Sequence, residues 1–87
     1  MHELSIALSL IDAVCEQMPQ LGSDVAVRTI HVRIGPQSGV AAEALTFAFE
    51  VAAAESPLAG ATLAIEKTSG RELELAAVEV IDGASHR

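Results

Sequence analysis

The run VAVRTIHVRI, residues 25–34, constrains this chain more than any other stretch, because β-branched side chains dominate it and a strand is the conformation that accommodates them. Successive side chains of a strand point to opposite faces. Strict alternation then sets Ala26, Arg28, Ile30, Val32 and Ile34 on one side and Val25, Val27, Thr29, His31 and Arg33 on the other. The face with Ile30, Val32 and Ile34 is the inward one, which leaves His31 and Arg33 on the wetter side. A single strand buries nothing by itself, so the flanking segments must supply both its neighbours and its cover.

The segment before it carries the helical period. Leu4, Leu8, Ile11, Cys15 and Met18 recur three or four residues apart, Ile6, Ala7, Leu10 and Val14 widen the stripe, and Asp12 and Glu16 fall outside it. Pro19 and Gly22 are expected to end that helix. After the strand, Gly35, Pro36, Ser38 and Gly39 form a turn in which Ser38 or Gly39 caps a second helix. That helix, VAAEALTFAFEVAAA, has a stripe of Ala41, Leu45, Ala48, Phe49 and Ala52 and closes at Pro57 and Gly60.

Two further strands complete the pattern. ATLAIEK brings Leu63 and Ile65 to one side, and Thr68, Ser69 and Gly70 make a tight turn into RELELAAVEV. In the last segment Leu73 and Leu75 are odd-numbered while Val78 and Val80 are even-numbered, so a β-bulge at Ala76 and Ala77 is needed to return both pairs to one face. The expected fold is α+β: a three-stranded sheet packed with two helices, in the order helix, strand, helix, strand, strand, with the last two strands an antiparallel hairpin. The strand–helix–strand unit favours a right-handed crossover with the first two strands parallel neighbours. The tail IDGASHR is expected to fray.

With 87 residues, half of them apolar, there is material for one modest core. Phe47 and Phe49 are the only aromatic residues, so no surface for stacking bases exists, and 12 acids against 5 scattered bases give a charge of −7. Nucleic acid and anionic membranes are therefore poor partners. Cys15 is the single cysteine, which excludes an internal disulfide and a thiolate-clustered zinc site within one chain, and its place on the apolar stripe makes it packing material. A reducing, cytoplasmic location is expected. There is no leader-like N-terminus and no run long enough to span a membrane, and Met1 is read as the mature first residue.

The opening residues Met1, His2 and Glu3 carry the one chemical suggestion. A terminal amine, the His2 backbone nitrogen and the His2 imidazole close a five-membered and a six-membered chelate ring, three nitrogen donors in one plane. Such a set suits Ni(II) or Cu(II), whereas Mg(II) and Ca(II) want oxygen. One position stays open for the Glu3 backbone nitrogen, another histidine or a partner's ligand, as release of a metal requires. On spacing alone, Glu3 is equally explained as an acid at a helix N-terminus and His2 as chance. His31 and His86 have no ligand partner at sequence spacing, although His31 is the only ordered internal histidine available as a fourth donor. Glycine-rich phosphate loops, nucleophile elbows and histidine pairs four apart are missing from the sequence, so an enzyme is not expected.

MHELSIA, VRTIHVRIGPQSGVAAEALTFAFEV, SPLAGATLAIE and SGRELELAAVEV, in that order over residues 1 to 81, together resemble the HypA/HybF family of nickel metallochaperones that serve maturation of nickel–iron hydrogenase and, in some bacteria, urease. The MHE start is the most specific part of the likeness. The resemblance implies a nickel-binding domain over residues 1–82 with a flexible tail at 83–87, and Ni(II) held by Met1, His2 and Glu3. It also implies delivery to the hydrogenase large subunit with a HypB-type partner GTPase.

One departure is plain. Family members carry a zinc lobe with two CxxC pairs inserted before SGREL, whereas here LAIE runs through Lys67 and Thr68 directly into SGREL without those cysteines. Zinc is thus not expected, the nickel site should be weaker or need a substitute donor, and an uncovered sheet edge would let two chains pair as a homodimer. A natural zinc-less homologue and an engineered excision of the lobe are both compatible with this join. A metal-free module that keeps the fold and docks to the GTPase or the hydrogenase is the alternative function.

Overall fold

The computed structural model describes residues 3–21 and 25–82. Its elements run α1 (Glu3–Leu21), β1 (Val25–Ile34), a 3-10 turn (Pro36–Ser38), α2 (Ala42–Ala53), β2 (Thr62–Lys67) and β3 (Leu73–Asp82). The architecture and element order are those the hydrophobic periods demanded: two helices on one side of a three-stranded mixed sheet.

The strand pairing corrects one expectation. β2 and β3 do not form a hairpin ladder; the sheet order is β2-β1-β3, with β1 parallel to β2 and antiparallel to β3. The β2–β3 turn instead passes across the C-terminal end of β1, tied down by Thr68 N–H to the Ile34 carbonyl at 3.0 Å and Gly35 N–H to the Glu72 carbonyl at 2.8 Å. The physical reason lies in burial. β1 contributes Val27, Ile30, Val32 and Ile34 to the core, more than either other strand, and a strand that apolar is best placed in the middle, with a neighbour on each side. The parallel pairing of the first two strands agrees with the crossover rule.

Two bulges adjust the faces. Between the pairs His31↔Ala77 and Val32↔Leu75, Ala76 is the extra residue, so Leu73, Leu75, Val78 and Val80 all lie opposite core-facing residues of β1, as the phase change required. A second irregularity, between Val27↔Val80 and Thr29↔Glu79, was not foreseen. It inserts Arg28, so that Val27 is buried on the face of Ile30 while Ala26 and Arg28 are exposed, reversing the N-terminal half of the expected alternation. Nor does fraying begin at Ile81, since Ile81 and Asp82 still pair with Ala26 and Val25. Residues 83–87 lie outside those described.

The core is aliphatic around one ring. Phe49, Leu45, Ile30, Val32, Val14 and Leu58 are all but sealed from solvent, with no buried polar or charged residue among the described ones. Leu58 was not anticipated, because it sits in the turns after α2, where Ser56 Oγ accepts the Leu58 N–H at 3.0 Å and folds the chain back over the sheet. Pro19 does not stop α1, which continues to Leu21. A proline in the last turn forfeits one hydrogen bond, to a carbonyl near the helix end where little else depends on it. Gly22, the other expected stop, is outside the described residues. Cys15 is half-buried beside the core, and burial first, the Asp12 charge second, push its thiol pKa above the ordinary value, away from the reactive thiolate.

Candidate metal centre at the helix N-termini

Both helices run against β1, so their N-termini gather at the edge of the sheet where β1 ends and the β2–β3 turn crosses it. α2 begins without a side-chain cap of its own: Ala41 is its N-cap, and neither Ser38 nor Gly39 supplies the expected one. Ser38 Oγ instead accepts the Val40 N–H at 3.2 Å within the preceding turn. The acceptor for the Ala41 N–H comes from the other helix, as Glu3 Oε2 at 3.4 Å. The carboxylate thus does for α2 what a glutamate in a capping box does for its own helix.

This contact has two consequences for the opening residues. First, α1 starts at Glu3, so the Glu3 N–H belongs to the initial turn, whose amides have no intrahelical acceptor. Among the described residues that nitrogen has no hydrogen-bond acceptor. Second, two helix N-termini side by side present partial positive charge, which opposes a cation, and the Glu3 carboxylate between them offsets it. Glu3→Gln keeps the backbone donors while removing that charge. It is expected to lower thermal stability by about 0.5 kcal/mol and to weaken Ni(II) binding several-fold, read by melting and by calorimetric titration of the same sample.

Of the expected ligands, Glu3 is placed at this end, while Met1 and His2 lie outside the described residues. His31 is not brought to them. It occupies the outer face of the central strand, its Nε2 3.5 Å from Glu79 Oε1, on the side of the sheet away from both helices. Arg33, two residues on, hydrogen-bonds Glu74 at 2.8 Å and lies 3.5 Å from Glu66; these contacts, the Glu74 hydrogen bond first, raise its already high pKa. Exposed pairs of this kind add little stability. Among the described residues no three histidine, cysteine or acidic side chains converge as a metal cage. His31→Ala is accordingly expected to leave Ni(II) affinity within twofold of the parent, checked by calorimetry.

The turn that crosses β1 is also built from local contacts. Thr68 Oγ1 donates to Glu72 Oε1 at 2.7 Å, and this bond, before the backbone N–H groups of Glu72 and Gly70, holds the Glu72 carboxyl pKa below its usual value.

Known proteins are similar to this chain in sequence and in fold. The sequence profile described as "Hydrogenase/urease nickel incorporation, metallochaperone, hypA" matches residues 1–74, which covers the opening MHE, both helices and the first two strands. The chain belongs to the HypA family. The hydrogenase maturation factor HypA of Thermomicrobium roseum is 46% identical over 92 residues, covering 94% of this chain and 68% of that protein. The HypA proteins of Streptomyces avermitilis and Chloroflexus aurantiacus are 42% and 45% identical, with 54% and 58% of their lengths matched. This HypA-family chain therefore spans about two thirds of the first relative and little more than half of the other two. In fold it is similar to the solution structure of the Ni metallochaperone HypA from Helicobacter pylori, with a TM-score of 0.72, 24% identity, and coverage of 91% of this chain and 97% of the other. Among the described residues no helix is long and apolar enough to cross a membrane.

The sequence reading missed the side chain of Glu3 as the cap of α2. A signal was present: residues 40–42, VAA, offer no capping side chain, so the donors at the start of α2 had to look elsewhere in the fold.

Proposed function

We propose that this chain is a nickel carrier, binding Ni(II) through the Met1 amine, the His2 backbone nitrogen and imidazole, and the Glu3 backbone nitrogen. It then passes the ion toward a hydrogenase large subunit with a HypB-type GTPase. The observation that carries this reading is the match of residues 1–74 to a nickel-incorporation family. Nickel is the cargo. The donor chemistry suits it, since a nitrogen donor set favours Ni(II) or Cu(II) over the hard cations.

Such a site would hold its ion without enclosing it. The three consecutive residues would fill no more than three positions of a plane, because the His2 nitrogen has only two neighbouring positions there for the amine, the imidazole and the Glu3 nitrogen, so one position stays open to a receiving ligand and transfer can begin without unfolding. Because the amine, the amide and the imidazole must all shed protons, affinity falls as pH drops. The outward placement of His31 gives no support to a side-chain cage on the sheet. The test is Ni(II) titration of protein bearing a free Met1 amine, followed by calorimetry and by the visible absorption of the ion. One equivalent bound in a diamagnetic, yellow, square-planar form is expected; binding only as an octahedral, paramagnetic ion would refute the proposed donor set.

A further inference from the structure

The outer side of the helix layer carries an apolar stripe that the fold does not use. Leu4 and Leu8 of α1 are 50% and 47% exposed, and Phe47 and Val51 of α2 are 68% and 54% exposed. Leu4, Phe47 and Val51 line one shallow groove with Ala44 and Ala48, and Glu3 stands at its end. Small alanines between larger side chains give the groove a floor on which an incoming apolar side chain can rest. Phe47 is the most exposed of the large apolar residues described here, and its neighbour Phe49 is fully buried, so the two rings of the chain serve opposite faces of the same helix.

The charges around this stripe are all of one sign. Neither Glu3–Leu21 nor Ala42–Ala53 contains a lysine, arginine or histidine. Helical spacing puts Asp12 one turn beyond Leu8, and Glu43 and Glu50 one turn to either side of Phe47. The described bases Arg28, Arg33, Lys67 and Arg71 belong to the strands and to the β2–β3 turn. An apolar strip with acidic margins selects its partner by both properties. A second copy of this face would set Glu43, Glu50 and Asp12 against like charges with no base to meet them, and an anionic lipid surface meets the same repulsion.

We propose that the groove lined by Leu4, Phe47 and Val51, with the exposed Leu8 one turn further along α1, docks a basic amphipathic helix of a partner protein. Its leucine-type anchors would sit on Ala44 and Ala48, and its lysines or arginines would face Glu43, Glu50 and Asp12. Because Glu3 closes one end of the groove, a helix seated there lies beside the first residues of the chain. That placement rests on the nickel reading given above for its meaning, but the docking itself does not. A partner so held would have its own ligands within reach of an ion carried on Met1 and His2.

The test uses two synthetic helical peptides of the same leucine spacing, one flanked by lysines and one by glutamates, titrated into isotopically labelled protein. The lysine peptide is expected to shift the amides of Leu4, Leu8, Ala44, Phe47 and Val51, with affinity that falls as salt is added. The glutamate peptide is expected to shift none of them. A Leu8→Asn, Phe47→Ser double variant should bind the lysine peptide at least about tenfold more weakly, the loss expected for exposed anchors of a small interface. Circular dichroism verifies that the variant retains its fold, and as both side chains are exposed it should.

Three results would overturn the proposal: no shift with the lysine peptide, shifts confined to the acids of the outer sheet face such as Glu66, Glu74 and Glu79, or undiminished binding by the double variant. Concentration-dependent self-association mapped to the same residues would instead assign the groove to a second copy and overturn it equally. Nickel titration of the double variant keeps the two readings apart. Intact Ni(II) binding with lost peptide binding supports docking on an independent face, whereas wild-type protein that binds the peptide but no nickel refutes the carrier reading alone.

Discussion

Replacing His2 with alanine is expected to weaken Ni(II) binding by more than the roughly 10–100-fold that loss of an outer-shell partner costs at a metal site. The substitution removes the imidazole and breaks the six-membered chelate ring, leaving the amine and backbone nitrogens without the donor that anchors the ion long enough for the amides to lose their protons. Extending the chain before Met1, even by two residues, is expected to do nearly as much harm. It converts the amine to a peptide nitrogen and moves the terminal charge away from His2. The two changes act on different atoms of one chelate, so together they should cost little more than either alone. Melting temperatures of all three proteins should agree within a degree or two, because the described core is built from Ala7 onward. Equal nickel affinity in the parent, the His2→Ala variant and the extended protein would remove the opening residues from the site altogether.

How legible this was in the sequence differs by level. The element types followed from period: α1, α2 and β1 each repeat their apolar residues at one spacing for ten residues or more. The bulge at Ala76 could be read because a change of phase between Leu75 and Val78 has few other solutions. The bulge at Arg28 could not, since alternation through Val25–Ile34 looks unbroken and either Val27 or Arg28 could have taken the inner place; only pairing with Val80 and Glu79 decides it. Strand order was likewise hidden. A short turn between two strands normally means a hairpin, and what overrides that here is a central strand apolar enough to need a neighbour on each side. At the candidate site the sequence could name Met1, His2 and Glu3 but gave no hint that Glu3 would be tied to Ala41, a contact 38 residues away in the chain. The exposure of Phe47 was masked too, because a phenylalanine in an alanine-rich helix reads as core until the fold shows which face Phe49 has already taken.

Gly35→Ala is expected to be among the most damaging single changes in the chain, lowering stability by about 3 kcal/mol, toward the upper end of what overpacking costs. The reason is space, not backbone conformation, since Gly35 has φ −92°, which any residue adopts. A Cβ at this position would lie 2.1 Å from the Gly70 carbonyl oxygen and 2.4 Å from its carbon. Those atoms are backbone and cannot swing aside as a side chain would. Nor can the turn lift freely, because it is held by Gln37 N–H to the Gly70 carbonyl at 3.0 Å, Gly35 N–H to the Glu72 carbonyl and Thr68 N–H to the Ile34 carbonyl. Relief of the clash must therefore loosen the bonds that pin the β2–β3 turn over the end of β1. For a domain of this size, whose total stability is roughly 4–13 kcal/mol, a loss of that order lowers the melting temperature by roughly 10–25 °C. Gly39→Ala makes the control. Gly39 has φ +81° and open space around it, so alanine there suffers only backbone strain, about 1 kcal/mol. Urea unfolding of both variants separates the two causes: a Gly35→Ala loss no larger than that of Gly39→Ala would mean that the turn yields, and that the crossing of β1 by the chain between Lys67 and Leu73 is not the rigid junction its hydrogen bonds describe.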